Sequence, residues 1–405
     1  MEKQEGLEMT YLDKENIMRV VMNSKDTTYL THNFHPFSAK FIPQIPKLMI
    51  ERFSKENETI LDPFCGSGTT LVEAKLLKRN SIGVDIHPLG VFISKVKTTK
   101  VPEDELEKIP ILLKKIERRI DTFISKNQKT KTLLALIEET RHEDFSYTLP
   151  NFTNRDHWFQ ENVLNELSII YENINNTEMS LELKDFLLLA FSCIIVTVSN
   201  QESETRYAAI KKDISLGQPF LFFKDKVLDM TKRMKVFNKV ASECDVKVYH
   251  ADSRELNFLN ENIADLIITS PPYPNTYDYY LYHKLRMFWL KMDWERAKYN
   301  EIGSRLRHSS LKEPIDNYIN DMVRCFTHFN RILKPGKKFI IIIGDSIIQK
   351  ELIKGDLIIK ELTTRTGFEV VDEIEYNLGY ASRTFNSAFR NKEKEEHIIV
   401  MKNEK

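Results

Sequence analysis

Thr59-Ile60-Leu61-Asp62-Pro63-Phe64-Cys65-Gly66-Ser67-Gly68-Thr69-Thr70 begins as a short apolar strand and runs into a glycine-rich turn. Helix-forming residues follow from Leu71 to Leu77, and Ser81-Ile82-Gly83-Val84-Asp85 returns as a second strand that ends in a carboxylate. Strand, tight turn, helix and strand make a βαβ unit. Its glycines let the backbone approach a ligand, and an acid closing the second strand can accept from both hydroxyls of a ribose. The unit predicts an α/β fold built around an adenosine-containing cofactor.

The turn residues separate the cofactor classes. A nucleoside triphosphate loop needs Lys ahead of its Ser or Thr, whereas Gly68 is followed directly by Thr69 and Thr70. The dinucleotide fingerprint G-x-G-x-x-G lacks its third glycine, whose place falls on Leu71. What remains is a glycine-rich turn with Asp62 at its start, expected to serve a cofactor with an amino-acid end. S-adenosylmethionine has that shape.

Far downstream, the apolar run Ala264 to Thr269 stops at Ser270-Pro271-Pro272-Tyr273. Two prolines fix φ and remove backbone donors, so the chain leaves the sheet with its carbonyls free. Ser270 adds a hydroxyl acceptor, Pro271 an unencumbered carbonyl and Tyr273 a flat aromatic face. The set fits a planar heterocycle carrying an exocyclic amine.

Together, Asp62 to Thr69 and Ser270 to Tyr273 resemble the paired signature of the exocyclic amino methyltransferases that act on DNA. S-P-P-Y is typical of the cytosine-N4 branch and D-P-P-Y of the adenine-N6 branch. The resemblance implies a Rossmann-like class I methyltransferase fold: a mostly parallel seven-stranded sheet with helices on both faces, here with a largely helical insert. By the family pattern, the His35 to Phe41 segment, with His35, Phe37 and Lys40, would hold the methionine part of the cofactor. Asp62, Pro63, Phe64, Gly66, Ser67, Gly68 and Thr69 would form its turn, Asp85 and Ile86 would follow the second strand, and Asp252 and Ser253 would reach the adenine. Ser270, Pro271, Pro272 and Tyr273 would be catalytic. Arg331 to Asp345 resembles the helix, turn and fifth strand of the class; Phe368 to Val371 and His397 to Met401 resemble its closing antiparallel pair. Duplex DNA is the implied partner, together with a restriction endonuclease that nothing in this chain shows.

Composition is that of a soluble enzyme. The 405 residues carry 59 Lys and Arg against 59 Asp and Glu, which argues against indiscriminate polyanion binding but leaves room for a local basic face. No apolar run reaches the roughly 18 residues of a membrane span, and the start, Met1-Glu2-Lys3-Gln4-Glu5, is polar, so a cytoplasmic protein is expected. Cys65, Cys193, Cys244 and Cys325 have neither zinc-ligand nor disulfide spacing, so no metal is expected. Phe64, Ser192, Glu243 and Arg324 precede them. Without a Pro-Cys nucleophile, the sequence argues against carbon-5 methylation.

The resemblance divides the chain into a cofactor-binding part (1–104), an insert (105–240) and a catalytic part (241–405). Within the insert, residues 108–132 hold eight Lys or Arg, among them Lys114, Lys115, Arg118 and Arg119, and two carboxylates. Apolar residues recur there at helical spacing, so a basic amphipathic helix is expected, either a solvated surface or a phosphate contact. Apolar runs at Leu133 to Ile137 and Leu181 to Ile195 suggest further helices. Tyr277, Tyr279, Arg305 and Arg307, beyond Tyr273, interleave aromatics with bases in the manner of a nucleic-acid surface. Either region is a candidate for target recognition.

An exocyclic amine is a poor nucleophile because its lone pair is delocalised into the ring. Acceptors at Ser270 and the Pro271 carbonyl would bond both amine hydrogens and favour attack, with the base flipped out of the duplex onto Tyr273. Adenine-N6 methylation, RNA methylation and a silent binding protein remain as alternatives.

Overall fold

In the computed structural model, which describes residues 11–24, 26–129, 149–377 and 394–405, seven strands form one sheet. In chain order they are β1 (Thr59–Asp62), β2 (Asn80–Asp85), β3 (Val246–His250), β4 (Ala264–Thr269), β5 (Leu333–Gly344), β6 (Phe368–Asn377) and β7 (Glu395–Asn403). Their order across the sheet is β6-β7-β5-β4-β1-β2-β3. β1 pairs in parallel with β2 and β4, Leu61 lying between Ile82 and Ile267, and β2 pairs in parallel with β3. Only β7 runs against its neighbours, β5 and β6. This is the mostly parallel seven-stranded class I architecture expected above.

Period-two alternation explains why the sheet is covered on both faces. Leu266, Ile268, Ile340, Ile342, Ile398 and Val400 face one layer, which includes Met49 and Ile50 of the helix Gln44–Phe53. Ile267, Ile341, Ile343, Ile399 and Met401 face the other, with Met322, Phe326 and Phe329 of the helix Ile315–Ile332. Neighbouring residues of one strand thus serve two cores.

Residues 105–240 enter between the helix Pro88–Thr98 and β3. Their main helices are Ile109–Lys129, Glu161–Asn176, Leu181–Val198 and Gln218–Val240, with a short hairpin, Gln201–Ser203 and Arg206–Ala209, between the last two. They do not form a separate core. Phe186, Phe191 and Phe223 pack in one apolar cluster with Phe34, Leu89 and Ile93, which precede the insert, and Leu285 and Trp289, which follow it. The run Leu133 to Ile137 and Lys131 lie outside the described residues. No described helix is long and apolar enough to cross a membrane.

Phe329 has no exposed surface and meets Phe64, Phe326 and Phe339. Phe329→Ala is expected to lower unfolding free energy by about 3–5 kcal/mol, read from chemical denaturation. Ile111→Ala, at a side chain 75% exposed, is expected to stay within about 0.5 kcal/mol. Equal losses in both would contradict the core assignment.

Candidate active site

The glycine-rich turn is fixed from several directions. Gly66 and Gly68 have φ of +48° and +75°, and a Cβ on Gly68 would fall 2.7 Å from Ser94 Oγ, so no side chain fits there. The Gly66 N–H donates to Asp85 Oδ2 at 2.8 Å, and Ser94 Oγ donates to the Gly66 carbonyl at 2.9 Å. Lys97, with no exposed surface, donates to the Ser67 carbonyl at 2.7 Å. Ser253 Oγ donates to the Pro63 carbonyl.

Beside this turn lies a pocket. Of the residues singled out in the sequence, Phe37, Lys40, Phe64, Gly66, Ser67, Thr69, Asp85, Ile86, Asp252, Ser253, Ser270 and Pro272 line it. Segments from five distant stretches of chain therefore meet in one cavity. Phe37 is stacked between Tyr279 (centroids 5.7 Å apart) and His283 (5.0 Å). Lys40 donates to the His32 carbonyl at 3.1 Å, and burial lowers its basicity. Asp85 also accepts from the His87 N–H at 2.8 Å, and burial pushes its carboxyl up to about 6. Burial also acts to raise Asp252, but Arg254, bonded to both its oxygens, outweighs this and holds the carboxyl low.

Other expected residues stand behind the walls. Asp62 is 1% exposed and is not at the cavity: it accepts from Thr269 Oγ1 at 2.7 Å and the Phe64 N–H at 3.2 Å, with burial pushing it up to about 6. It braces the turn. His35 is buried, its Nε2 3.0 Å from Ser192 Oγ. Pro63, Gly68, Pro271 and Tyr273 likewise do not line the pocket. Cys65 does, yet burial holds its thiol well above the usual range, which removes it as a nucleophile.

β4 is fully buried and ends where the prolines begin. Tyr318 Oη donates to the Pro272 carbonyl at 3.1 Å. Tyr273 turns onto β5, close enough that a Cβ on Gly344 would sit 2.7 Å from its ring. Its hydroxyl donates to Glu396 Oε1 at 2.8 Å and lies 3.4 Å from Ser270 Oγ, while Tyr376 holds the other Glu396 oxygen.

Of the residues expected on a nucleic-acid surface, Tyr279 belongs to the cofactor-side pocket, stacked on Phe37. Arg307 pairs with Glu313 and Asp321 at 2.8 Å each, so its guanidinium is already engaged within the fold. Tyr277 is half-buried and Arg305 exposed. Lys114, Lys115 and Arg118 are exposed on the outer side of the helix Ile109–Lys129, with Arg119 3.7 Å from Glu172. Sequence reading missed His87, Asn300, Glu301 and Ile302, which also line the pocket. None of the four carries a motif. Asp345, Asp356 and His397 bring potential metal-ligand atoms within 4.8 Å of one another, but Lys354 and the N–H groups of Gly355 and Glu395 already bond to Asp345.

The walls fit an adenosyl cofactor with an amino-acid end: a carboxylate at the end of β2, aromatic faces, a lysine, and a glycine turn whose backbone is approachable. Ser67 Oγ is a buried polar atom with no described partner.

Residues 3–95 match the family model described as DNA methylase. Among curated proteins, the chain is 23% identical to the Type II methyltransferase M.MjaII of Methanocaldococcus jannaschii, over 88% of this chain and 78% of that one. It is 24% identical to the Type II methyltransferase M.MvaI of Kocuria varians (83% and 82% covered) and 29% identical to the Type II methyltransferase M.BsoBI of Geobacillus stearothermophilus (71% and 56%). With its parallel sheet, and with the glycine turn, Ser270 and Pro272 meeting at one pocket, the chain is similar to the DNA methylase family over residues 3–95 and to Type II methyltransferases over most of its length.

Proposed function

We propose that the protein methylates the N4 amine of cytosine in duplex DNA, as the modification enzyme of a restriction-modification pair. The observation that supports this reading is the presence of Ser270 in the same pocket as Asp85 and the glycine turn. The S-P-P-Y form of the loop favours cytosine over adenine, and the Type II naming of the relatives favours the restriction-modification role.

S-adenosylmethionine supplies a methyl group on a positively charged sulfur. Asp85 would accept from ribose hydroxyls, Asp252 and Ser253 would meet the adenine, and Lys40 would meet the carboxylate of the methionine part. The Gly66 to Thr69 turn leaves room for the ligand, and Phe37 walls it. Ser270 Oγ and the Pro271 carbonyl, which no described donor reaches, would accept the two amine hydrogens. This favours a tetrahedral nitrogen with its lone pair free to attack. No protein nucleophile takes part, and the product ammonium is acidic enough to lose its proton without a strong base. A base within a duplex cannot enter the cavity, so it must be flipped. Tyr273, held by Gly344 and Glu396, does not line the cavity, so its stacking on the base is a proposal from the S-P-P-Y pattern alone.

Two outcomes follow. Duplex DNA incubated with the protein and labelled S-adenosylmethionine, then digested to nucleosides, is expected to yield N4-methylcytosine by mass spectrometry. N6-methyladenine would overturn the base assignment, and methyl transfer to RNA alone would overturn the substrate class. In calorimetry, cofactor affinity is expected to fall as pH drops through about 6, because the buried Asp85 carboxyl is raised to about 6 and must be ionised to accept from hydroxyls. Asp85→Asn is expected to bind more weakly at pH 7.5 and to lose that part of the pH dependence. An unchanged profile in the variant would contradict the assignment of Asp85.

A further inference from the structure

Glu301 follows the helix Trp294–Asn300 and shares the pocket wall with Asp85 and Tyr279, although no motif marks it in the sequence. It is 5% exposed. One oxygen, Oε1, accepts from the Tyr279 N–H at 2.9 Å and so caps the short helix Tyr279–Tyr282. The other, Oε2, is buried and has no described partner. Capping therefore accounts for half of this carboxyl and leaves the second oxygen without a task. Buried polar atoms are rarely left bare, and one in the wall of a ligand pocket points to the ligand.

Burial holds the Glu301 carboxyl well above its usual range; the N–H groups of Tyr279 and Tyr280 oppose this, while the charges of Asp278 and Asp85 add to it. Burial thus favours the protonated form, which could donate from the oxygen that has no described partner. A hydroxyl is both a donor and an acceptor. It can give its hydrogen to the Asp85 carboxylate while accepting from a carboxylic acid on its other side. One anion and one neutral acid can hold a ribose diol in this way without placing two negative charges together.

We propose that Glu301 is a further cofactor-binding residue, with Oε2 donating to a ribose hydroxyl that Asp85 accepts from. The proposal rests on the adenosyl cofactor reading above and adds to it a residue supplied by the segment that follows the catalytic loop. That segment then helps to select the ribose, and the wall that carries Tyr279 is drawn onto the bound cofactor.

The test is calorimetric binding of S-adenosylhomocysteine and of its 2′-deoxy and 3′-deoxy analogues to the full chain and to three variants. Glu301→Gln keeps an acceptor for Tyr279 and a donor for the ribose, and is expected to bind S-adenosylhomocysteine within about threefold of the parent. Glu301→Ala is expected to bind it about tenfold more weakly, and the deficit is expected to vanish for the analogue that lacks the contacted hydroxyl. Glu301→Met, which fills the volume without a donor, carries the same expectation and serves if the alanine variant does not fold. A purely capping role would weaken all three ligands by one factor. That result, or undiminished binding in both Glu301→Ala and Glu301→Met, overturns the proposal while leaving the cofactor reading standing. Failure of the parent protein to bind S-adenosylhomocysteine overturns both.

Discussion

The hydrogen bond from the Gly66 N–H to Asp85 Oδ2 ties the ends of β1 and β2 together at the point where the pocket opens, and the rest of the site is assembled on it. The turn it holds is also bonded by Ser253 just beyond β3, while Thr269 at the end of β4 reaches Asp62 at the end of β1. The carboxyl ends of four neighbouring parallel strands therefore meet at one loop, the place where open parallel sheets bind ligands. Burial of Lys97 beneath the turn disfavours its charged form and lowers its basicity well below the usual lysine range. Its bond to the Ser67 carbonyl offsets part of that cost and holds the loop in the shape the ligand needs.

The insert contributes to this arrangement from outside the sheet. Glu204, beside its hairpin, pairs with the fully buried Arg286 at 2.6 Å. Arg286 lies 3.0 Å from His283 Nδ1, and His283 stacks on Phe37 in the pocket wall. A continuous set of contacts thus runs from the insert to the cofactor side of the site. Its shared apolar core with the helix Pro88–Thr98 makes the insert part of the scaffold and not an appendage.

What could be read from sequence was local chemistry. The strand, glycine turn and acidic strand end from Thr59 to Asp85 lie close together in the chain, and proline's missing donor marks the end of β4 wherever it occurs. Roles that depend on distant partners could not be read. Asp62 stands at the start of the turn in sequence, yet the Thr269 hydroxyl on the neighbouring strand draws its carboxylate inward. Arg307 sits in a basic stretch, but Glu313 and Asp321 engage it. Tyr279 belongs to an aromatic cluster whose composition suggests stacking on bases, while Phe37, hundreds of residues earlier, claims its ring. Glu301 gains its place only because the chain after the Ser270 to Tyr273 loop folds back to the pocket that Asp85 lines.

The central claim is that Ser270 acts on the target amine and leaves cofactor binding to Asp85, Asp252 and the glycine turn. Single-turnover methyl transfer by Ser270→Ala, measured alongside cofactor and DNA affinities, tests it most directly. The account predicts a rate lower by about a hundredfold with both affinities unchanged. A rate equal to that of the parent protein would contradict it.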